Sequence, residues 1–279
     1  MFAISPLLPP LPPIKIVDVG AMTLGKDTEP YAALLKAAPC EVIGFEPVAT
    51  ELQKLSDLKL PGRTFLPHVI GDGSLRTFYE CNYPMTSSLF EPDTELLAKF
   101  QSLEEWVRVV KTYPVETKRL DDIPEVAGTD FLKVDVQGAE LMVFQGGVET
   151  LKGVLVVQTE VEFVPMYKGQ PLFADVDAFL RAQGFLIYRM LPQGRAFKPF
   201  VVHRHVHSMS QMLWAEAVYV RDFRTLDRLA PAALLKLAVI LHEHYNVLDF
   251  VGFALETYDR TNGANLRSAY LRRMADANG

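Results

Sequence analysis

The sequence predicts an α/β fold: a Rossmann-like, mostly parallel sheet with an inserted hairpin segment and a helical C-terminal tail. Three observations carry that prediction. Short apolar runs alternate with amphipathic stretches from residue 14 to about residue 190, the pattern of a parallel sheet covered on both faces. The run Ile16-Val17-Asp18-Val19-Gly20-Ala21 reads as a strand entering a tight turn, where glycine lets the backbone approach a ligand. A second run ends in Gly44-Phe45-Glu46-Pro47, placing a carboxylate 28 residues after Asp18, where it can accept hydrogen bonds from both hydroxyls of a ribose.

The elements follow in order. Residues 1–13 hold five prolines and no basic start, so they form an extended arm rather than a helical leader, packed on its own domain or loose. Strands are expected at 14–19, 41–45, 64–70, 130–134, 154–158, 185–189 and, last, 217–220. Helices are expected at 31–37, 50–56 and 139–151, and at 174–183, where Val176, Phe179 and Leu180 recur at helical spacing. Together, residues 14–222 make the main domain. Its insertion, 74–129, holds a hairpin at 75–81, a helix near 95–100 and a strand at 109–118, and a segment of that length beside a ligand edge shapes a substrate pocket or lid.

Residues 223–279 form a helical extension, almost wholly helical over 225–259, with Pro231 at a first-turn position. The stretch from Pro231 to Leu241 is apolar nearly all round, so it is buried against its own domain, in a homodimer interface or, least favoured, on a membrane surface.

Net charge is -6, so no basic surface advertises itself for phosphate backbones, although a local patch can lie within an acidic average, and nucleic acid is a poor first expectation as partner. The two cysteines, Cys40 and Cys81, are too few for a disulfide framework, and a reducing cytoplasm fits. No uncharged apolar run reaches the ~18 residues that span a bilayer.

Chemistry gathers at one sheet edge. Four strands end in acids or small residues: Asp18 and Gly20; Glu46 and Pro47; Gly71, Asp72 and Gly73; Asp135, Gln137 and Gly138. Open parallel sheets bind ligands there, outside the carboxyl ends where strand order reverses. Each acid alone could cap a helix or make a turn, and Glu46 would suit a nicotinamide dinucleotide equally well, although no second nucleotide-binding half is evident. A third reading is a catalytically silent cofactor-binding protein that interacts through its apolar tail.

The segments Val17-Asp18-Val19-Gly20-Ala21, Gly44-Phe45-Glu46-Pro47, Thr86-Ser87-Ser88-Leu89, Lys118-Arg119-Leu120-Asp121-Asp122, the block from Leu132 to Glu140 (Leu-Lys-Val-Asp-Val-Gln-Gly-Ala-Glu) and the block from Gln211 to Val218 resemble the FkbM family of S-adenosylmethionine-dependent methyltransferases over roughly residues 14–222. The resemblance implies a seven-stranded class I sheet with its last strand antiparallel, and methyl transfer to a hydroxyl of a sugar, a saccharide-lipid or a secondary metabolite. It implies that Asp18, Gly20 and Ala21 approach the methionine part of S-adenosylmethionine, Glu46 clasps the ribose, Asp72 contacts the adenine amino group, and Asp135 and Gln137 face the sulfonium and the acceptor. Where the family commonly has Asn and Gly, this chain has Met22 and Leu24, with Gly25 one place later to supply the close approach.

Asp135 and Glu160 are the candidate general bases for a small-molecule hydroxyl acceptor, with Glu162 beside Glu160 on the same extended face. The bland reading makes Glu160 a structural acid. Ser87, Ser88, Tyr83 and Trp106 could hydrogen-bond to or stack on a sugar. His203, His205 and His207 alternate, a spacing that can bind a transition metal, but Arg204 interrupts them and no metal is expected.

Overall fold

The computed structural model describes residues 2–22, 30–198 and 211–278. In chain order the elements are β1 (Ile14–Val19), α1 (Ala32–Ala37), β2 (Cys40–Phe45), α2 (Ala49–Asp57), β3 (Arg63–Leu66), β4 (Leu75–Cys81), α3 (Thr94–Leu97), α4 (Leu103–Trp106), β5 (Val109–Glu116) and β6 (Phe131–Val134). There follow α5 (Glu140–Gln145), α6 (Val148–Gly153), β7 (Val156–Glu162), α7 (Phe173–Ala182), β8 (Phe185–Arg195), β9 (Gln211–Arg221), α8 (Pro231–Glu243), α9 (Asp249–Asn262) and α10 (Leu266–Asn278).

Seven strands form one sheet in the order β3-β2-β1-β6-β7-β9-β8, and β4 pairs with β5 separately. The β1–β2, β1–β6, β2–β3 and β6–β7 pairs are parallel, whereas β9 runs antiparallel to both neighbours. This is the class I, Rossmann-like arrangement expected. Strand order reverses between β1 and β6, so the ligand crevice falls at the ends of those two strands.

Alternation along each strand feeds two cores. Ile14, Ile16, Phe131, Val156, Val218 and Val220 pack on one face against Leu34 of α1 and Leu234, Leu237, Ala238 and Leu241 of α8. Val17, Val19, Leu132, Val134 and Val157 pack on the other against Val143 and Phe144 of α5 and Val176 and Leu180 of α7. The apolar helix α8 is therefore covered by its own chain. The proline-rich arm shares that core through fully buried Ile4, whose amide donates to Glu243 Oε1 at 2.7 Å.

Several local expectations shift. Residues 75–81 make no hairpin of their own: they form the single strand β4, which contains no turn residue and pairs with β5 from Leu75↔Glu116 to Cys81↔Val109. Strand β3 stops at Leu66, before Pro67, which has no amide to donate, and His68 to Ile70 turn into the crevice instead. The helix expected over 139–151 divides at Gly146, where a Cβ would stand 2.1 Å from the Gly71 carbonyl oxygen. Strand β7 runs on to Glu162 because β9 pairs along its whole length, Glu160 facing Glu216 and Glu162 facing Trp214. The short helix α4 (Leu103–Trp106) has no counterpart among the expected elements.

Candidate active site

A cleft of about 500 Å³ opens at the carboxyl ends of β1, β2, β6 and β7 and is roofed by the 74–129 insertion. Gly20 makes its tightest corner. Its φ is +84°, its amide donates to the Phe45 carbonyl at 3.1 Å, and a Cβ there would stand 2.0 Å from the Asp135 carbonyl oxygen. Only glycine fits this approach of β1 to β6.

Beneath it lies a buried charge cluster. Lys133 Nζ sits 3.2 Å from Asp18 Oδ1 and 3.8 Å from Asp135 Oδ2, and the Tyr31 hydroxyl donates to Asp18 Oδ2 at 3.2 Å. Burial lowers the Lys133 pKa, but Asp18, Asp135 and Glu216 outweigh it and hold the ammonium charged. The Lys133 and Asp18 side chains are 8% and 4% exposed, whereas that of Asp135 is 32% exposed. All three line the cleft, and Asp135 is the most exposed of them.

Gln137 joins the two base candidates. Its backbone is left-handed at φ +56°, unusual for a residue with a side chain and characteristic of functional sites. Its Nε2 donates to Asp135 Oδ1 at 2.9 Å and Glu160 Oε2 at 2.7 Å, while its Oε1 accepts from the Tyr167 hydroxyl at 3.2 Å. Burial, then the charges of Asp135, Glu162, Glu140 and Glu216, push the Glu160 pKa well above the ordinary carboxyl range. Facing Glu216 across the strand pair adds to this, since like charges directly opposite are destabilising.

Glu46 is buried and accepts from the Val48 amide at 2.6 Å. Burial raises its pKa to about 7, assisted by Glu51 and Asp18 and opposed by the Val48 hydrogen bond. Pro47, Val48, His68, Val69 and Ile70 line the same cleft, and the His68 ring lies over Phe45 with centroids 6.3 Å apart.

Of the residues expected from sequence, Asp18, Gly20, Glu46, Pro47, Asp135, Gln137 and Glu160 all line this cleft. Others do not. Ala21 is buried behind it, its amide donating to Phe45 O at 2.9 Å. Asp72 turns away: it accepts from Ser74 N at 3.0 Å and from the Ser74 hydroxyl, and pairs with Arg76 at 2.8 Å, closing the turn into β4. Gly73 donates to Thr117 Oγ1 at 3.0 Å in the same turn. Gly25, Leu24 and the histidines 203, 205 and 207 lie outside the described residues. Among the described residues no group of three or more His, Cys, Asp or Glu is arranged to hold a metal ion, and no helix is long and apolar enough to cross a membrane.

Sequence reasoning passed over four contributors. Lys133 had a signal, a cation alternating with acids in Lys133-Val134-Asp135. Glu216 becomes visible only once the last strand is known to be antiparallel and adjacent to β7. Gln158 donates to Glu216 Oε2 at 3.2 Å and accepts from the Tyr245 hydroxyl at 2.8 Å, so Tyr245, two residues past the end of α8, braces the cleft floor. His244 lies beside them, its pKa pushed down to about 4 by burial.

Residues 18–187 match the family model described as the Methyltransferase FkbM domain. The 2-O-methyltransferase NoeI of Sinorhizobium fredii is 34% identical over 128 residues, 44% of this chain and 47% of that protein, so the chain spans about half the length of the curated relative it matches. Among solved structures, an FkbM methyltransferase from Methylobacillus flagellatus is 13% identical with a TM-score of 0.41, covering 75% of this chain and 43% of that one. The magnesium protoporphyrin IX methyltransferase ChlM of Synechocystis, with bound SAM, is 13% identical with a TM-score of 0.37, covering 75% and 71%. The family match spans most of the sheet and the acidic crevice just described, and the chain belongs to the FkbM family of S-adenosylmethionine-dependent methyltransferases.

Proposed function

We propose that this chain methylates a hydroxyl oxygen of a small molecule, with Glu160 as proton acceptor and Asp135 facing the reacting centre. One observation carries the reading. The described cleft presents five carboxyl groups, Asp18, Glu46, Asp135, Glu160 and Glu216, against a single ammonium, Lys133. Burial raises the pKa of Asp18, Glu46, Glu160 and Glu216, so these groups ionise most readily beside a positive charge, and the site favours a cationic ligand over the pyrophosphate of a nicotinamide dinucleotide, for which its one ammonium is already paired with Asp18. S-adenosylmethionine fits it, since its sulfonium and amino group are positive and its ribose offers two donors to Glu46.

When bound, the cofactor would supply an electrophilic methyl group for an oxygen nucleophile, with the sulfur to which it is attached as the neutral leaving group. The protein's part is to hold and orient. Asp18 and the Gly20 turn border the methionine end, Glu46 the ribose, and Val48, His68 and Ile70 an apolar slot for adenine. In-line alignment of the acceptor can supply up to ~7–11 kcal/mol of the barrier. In its ionised form Glu160, whose pKa is raised by burial and by neighbouring acids, is a stronger proton acceptor than an ordinary carboxylate, and a matched base contributes typically ~10²–10⁴-fold. The Gln137 amide nitrogen bridges Glu160 and Asp135 and holds the two carboxyl groups in one hydrogen-bonded set.

The test is calorimetry with S-adenosylhomocysteine and with nicotinamide dinucleotides, followed by single-turnover methyl transfer in Asp135→Asn and Glu160→Gln. The expected result is uptake of the first ligand alone and a ~10²–10⁴-fold slower step in Glu160→Gln. Unchanged rates in both variants would remove the base from the reading. Dinucleotide uptake without S-adenosylhomocysteine uptake would overturn it altogether.

A further inference from the structure

Beyond Asp135 and Gln137 the cleft is walled by the insertion, by the segment after β7 and by the start of β9, with Met85, Leu97, Leu103, Trp106, Met166 and Trp214 among its residues. Leu97, Leu103 and Met166 are 1%, 5% and 7% exposed and pack with Tyr167 and Leu213 in a core cluster of their own. This wall is the inner skin of a packed body, not a loose surface.

Its two indoles are held by one cation. Arg195 Cζ lies 5.1 Å from the Trp106 ring centroid and 5.0 Å from that of Trp214. The guanidinium is buried, its Nη1 donates to Gly194 O at 2.9 Å, and its Nε has no hydrogen-bond partner among the described residues. With no carboxylate paired to it there, it rests on the two π faces and fixes both rings against the cleft.

The side-chain polar groups along this wall are spent on one another. Ser88 Oγ donates to Gln137 O at 2.7 Å and accepts from Phe90 N at 2.9 Å. The single hydrogen of the Thr86 hydroxyl is shared between the Tyr83 and Trp106 carbonyls, at 2.9 and 2.8 Å. The Tyr167 hydroxyl lies between Thr86 O and Gln137 Oε1, and the Gln137 amide is consumed by Asp135 and Glu160. Ser87, which accepts from Cys81 N at 3.0 Å, keeps its own hydrogen. What remains for a ligand among the described side chains is that hydroxyl, the N–H groups of the two indoles, the carboxyl groups at the reacting centre and a broad apolar surface formed by Met85, Leu97, Leu103 and Met166. A saccharide with a hydroxyl on nearly every carbon would leave those that lie against the apolar side chains desolvated and unpaired, which costs binding for each.

Resting on the methyl-transfer reading, we infer that the acceptor is a hydroxyl compound with an apolar, ring-sized body lying against Trp106, Trp214 and Met85, presenting one hydroxyl to Glu160 and Asp135. The same wall disfavours a free sugar as acceptor.

Trp106 and Trp214 are the only tryptophans in the chain, so intrinsic fluorescence reports on this wall directly. The full chain, alone and saturated with S-adenosylhomocysteine, is titrated with 4-butylcyclohexanol and with methyl glucoside, neither of which fluoresces. The expected result is a saturable blue shift with the apolar alcohol, and none with the glucoside at about hundredfold higher concentration. Met85→Glu changes a 44% exposed side chain and leaves the fold intact. It should weaken the alcohol at least about tenfold while calorimetry shows unchanged S-adenosylhomocysteine affinity. Saturable glucoside binding equal to or tighter than the alcohol's, no response to the alcohol, or an unaltered response in Met85→Glu would overturn the inference. Absence of S-adenosylhomocysteine uptake would instead sink the methyl-transfer reading, while the titration of the protein alone still decides the character of the wall.

Discussion

Replacing Glu46 by Gln tests the ribose clasp and its titration together. In the folded chain the Glu46 pKa stands at about 7, raised first by burial and then by Glu51 and Asp18, against an ordinary value of 4.5. The folded state therefore keeps a proton that the unfolded chain releases between those two values, so this group's contribution to stability falls as pH rises through that window. Ligand binding runs the other way. Ribose hydroxyls donate to the ionised carboxylate, and a group titrating at about 7 is roughly nine-tenths ionised at about pH 8 but roughly one-tenth at about pH 6. Affinity for S-adenosylhomocysteine should thus weaken roughly tenfold between those conditions, the factor by which the competent form is depleted. Glu46→Gln removes charge-assisted hydrogen bonds worth about 2–3 kcal/mol, so Kd should rise roughly 30- to 150-fold at pH 8. Glu46's share of the pH dependence should vanish with it. Calorimetry at several pH values, on both proteins, measures this. A variant that binds as tightly as wild type, or that keeps the full pH dependence, would refute the assignment of Glu46 to the ribose.

Three further outcomes follow from the same geometry. Gly20→Ala should abolish cofactor uptake and lower stability by more than ~1 kcal/mol, because its Cβ would stand 2.0 Å from the Asp135 carbonyl oxygen at φ +84°; normal calorimetry and denaturation would contradict this. Lys133→Met leaves Asp18 buried without its ammonium, which should cost about 3–5 kcal/mol in urea unfolding near neutral pH, and a loss below ~1 kcal/mol would show that Asp18 is already neutral. Tyr245→Phe removes the 2.8 Å donor to Gln158 and should cost about 1 kcal/mol. If the tail positions Glu216 through Gln158, kcat should fall while S-adenosylhomocysteine affinity holds; a loss of stability with unchanged kcat would make Tyr245 purely structural.

What was legible from residues alone was whatever short-range periodicity encodes. Apolar runs of five or six residues locate β1, β2 and β6, since each strand's burial depends on its own alternation, and the glycine after Asp18 marks the turn because its positive φ is a local demand. Asp18, Glu46 and Asp135 were found in this way, each standing at a strand end. Asp72 followed the same logic and parted from the cleft, because Ser74 and Arg76 two and four residues on compete for its carboxylate at shorter range than any ligand edge. Sequence by itself determined the parallel sheet, its acidic rim and the apolar character of α8. The tertiary structure alone decided that α8 covers the sheet, that Glu216 stands opposite Glu160, that Tyr245 braces Gln158 and that Arg195 clamps Trp106 and Trp214. These are pairings between residues tens of positions apart, made by strand insertion and helix docking, and no local pattern of hydrophobicity or turn chemistry specifies which distant partner a side chain will meet.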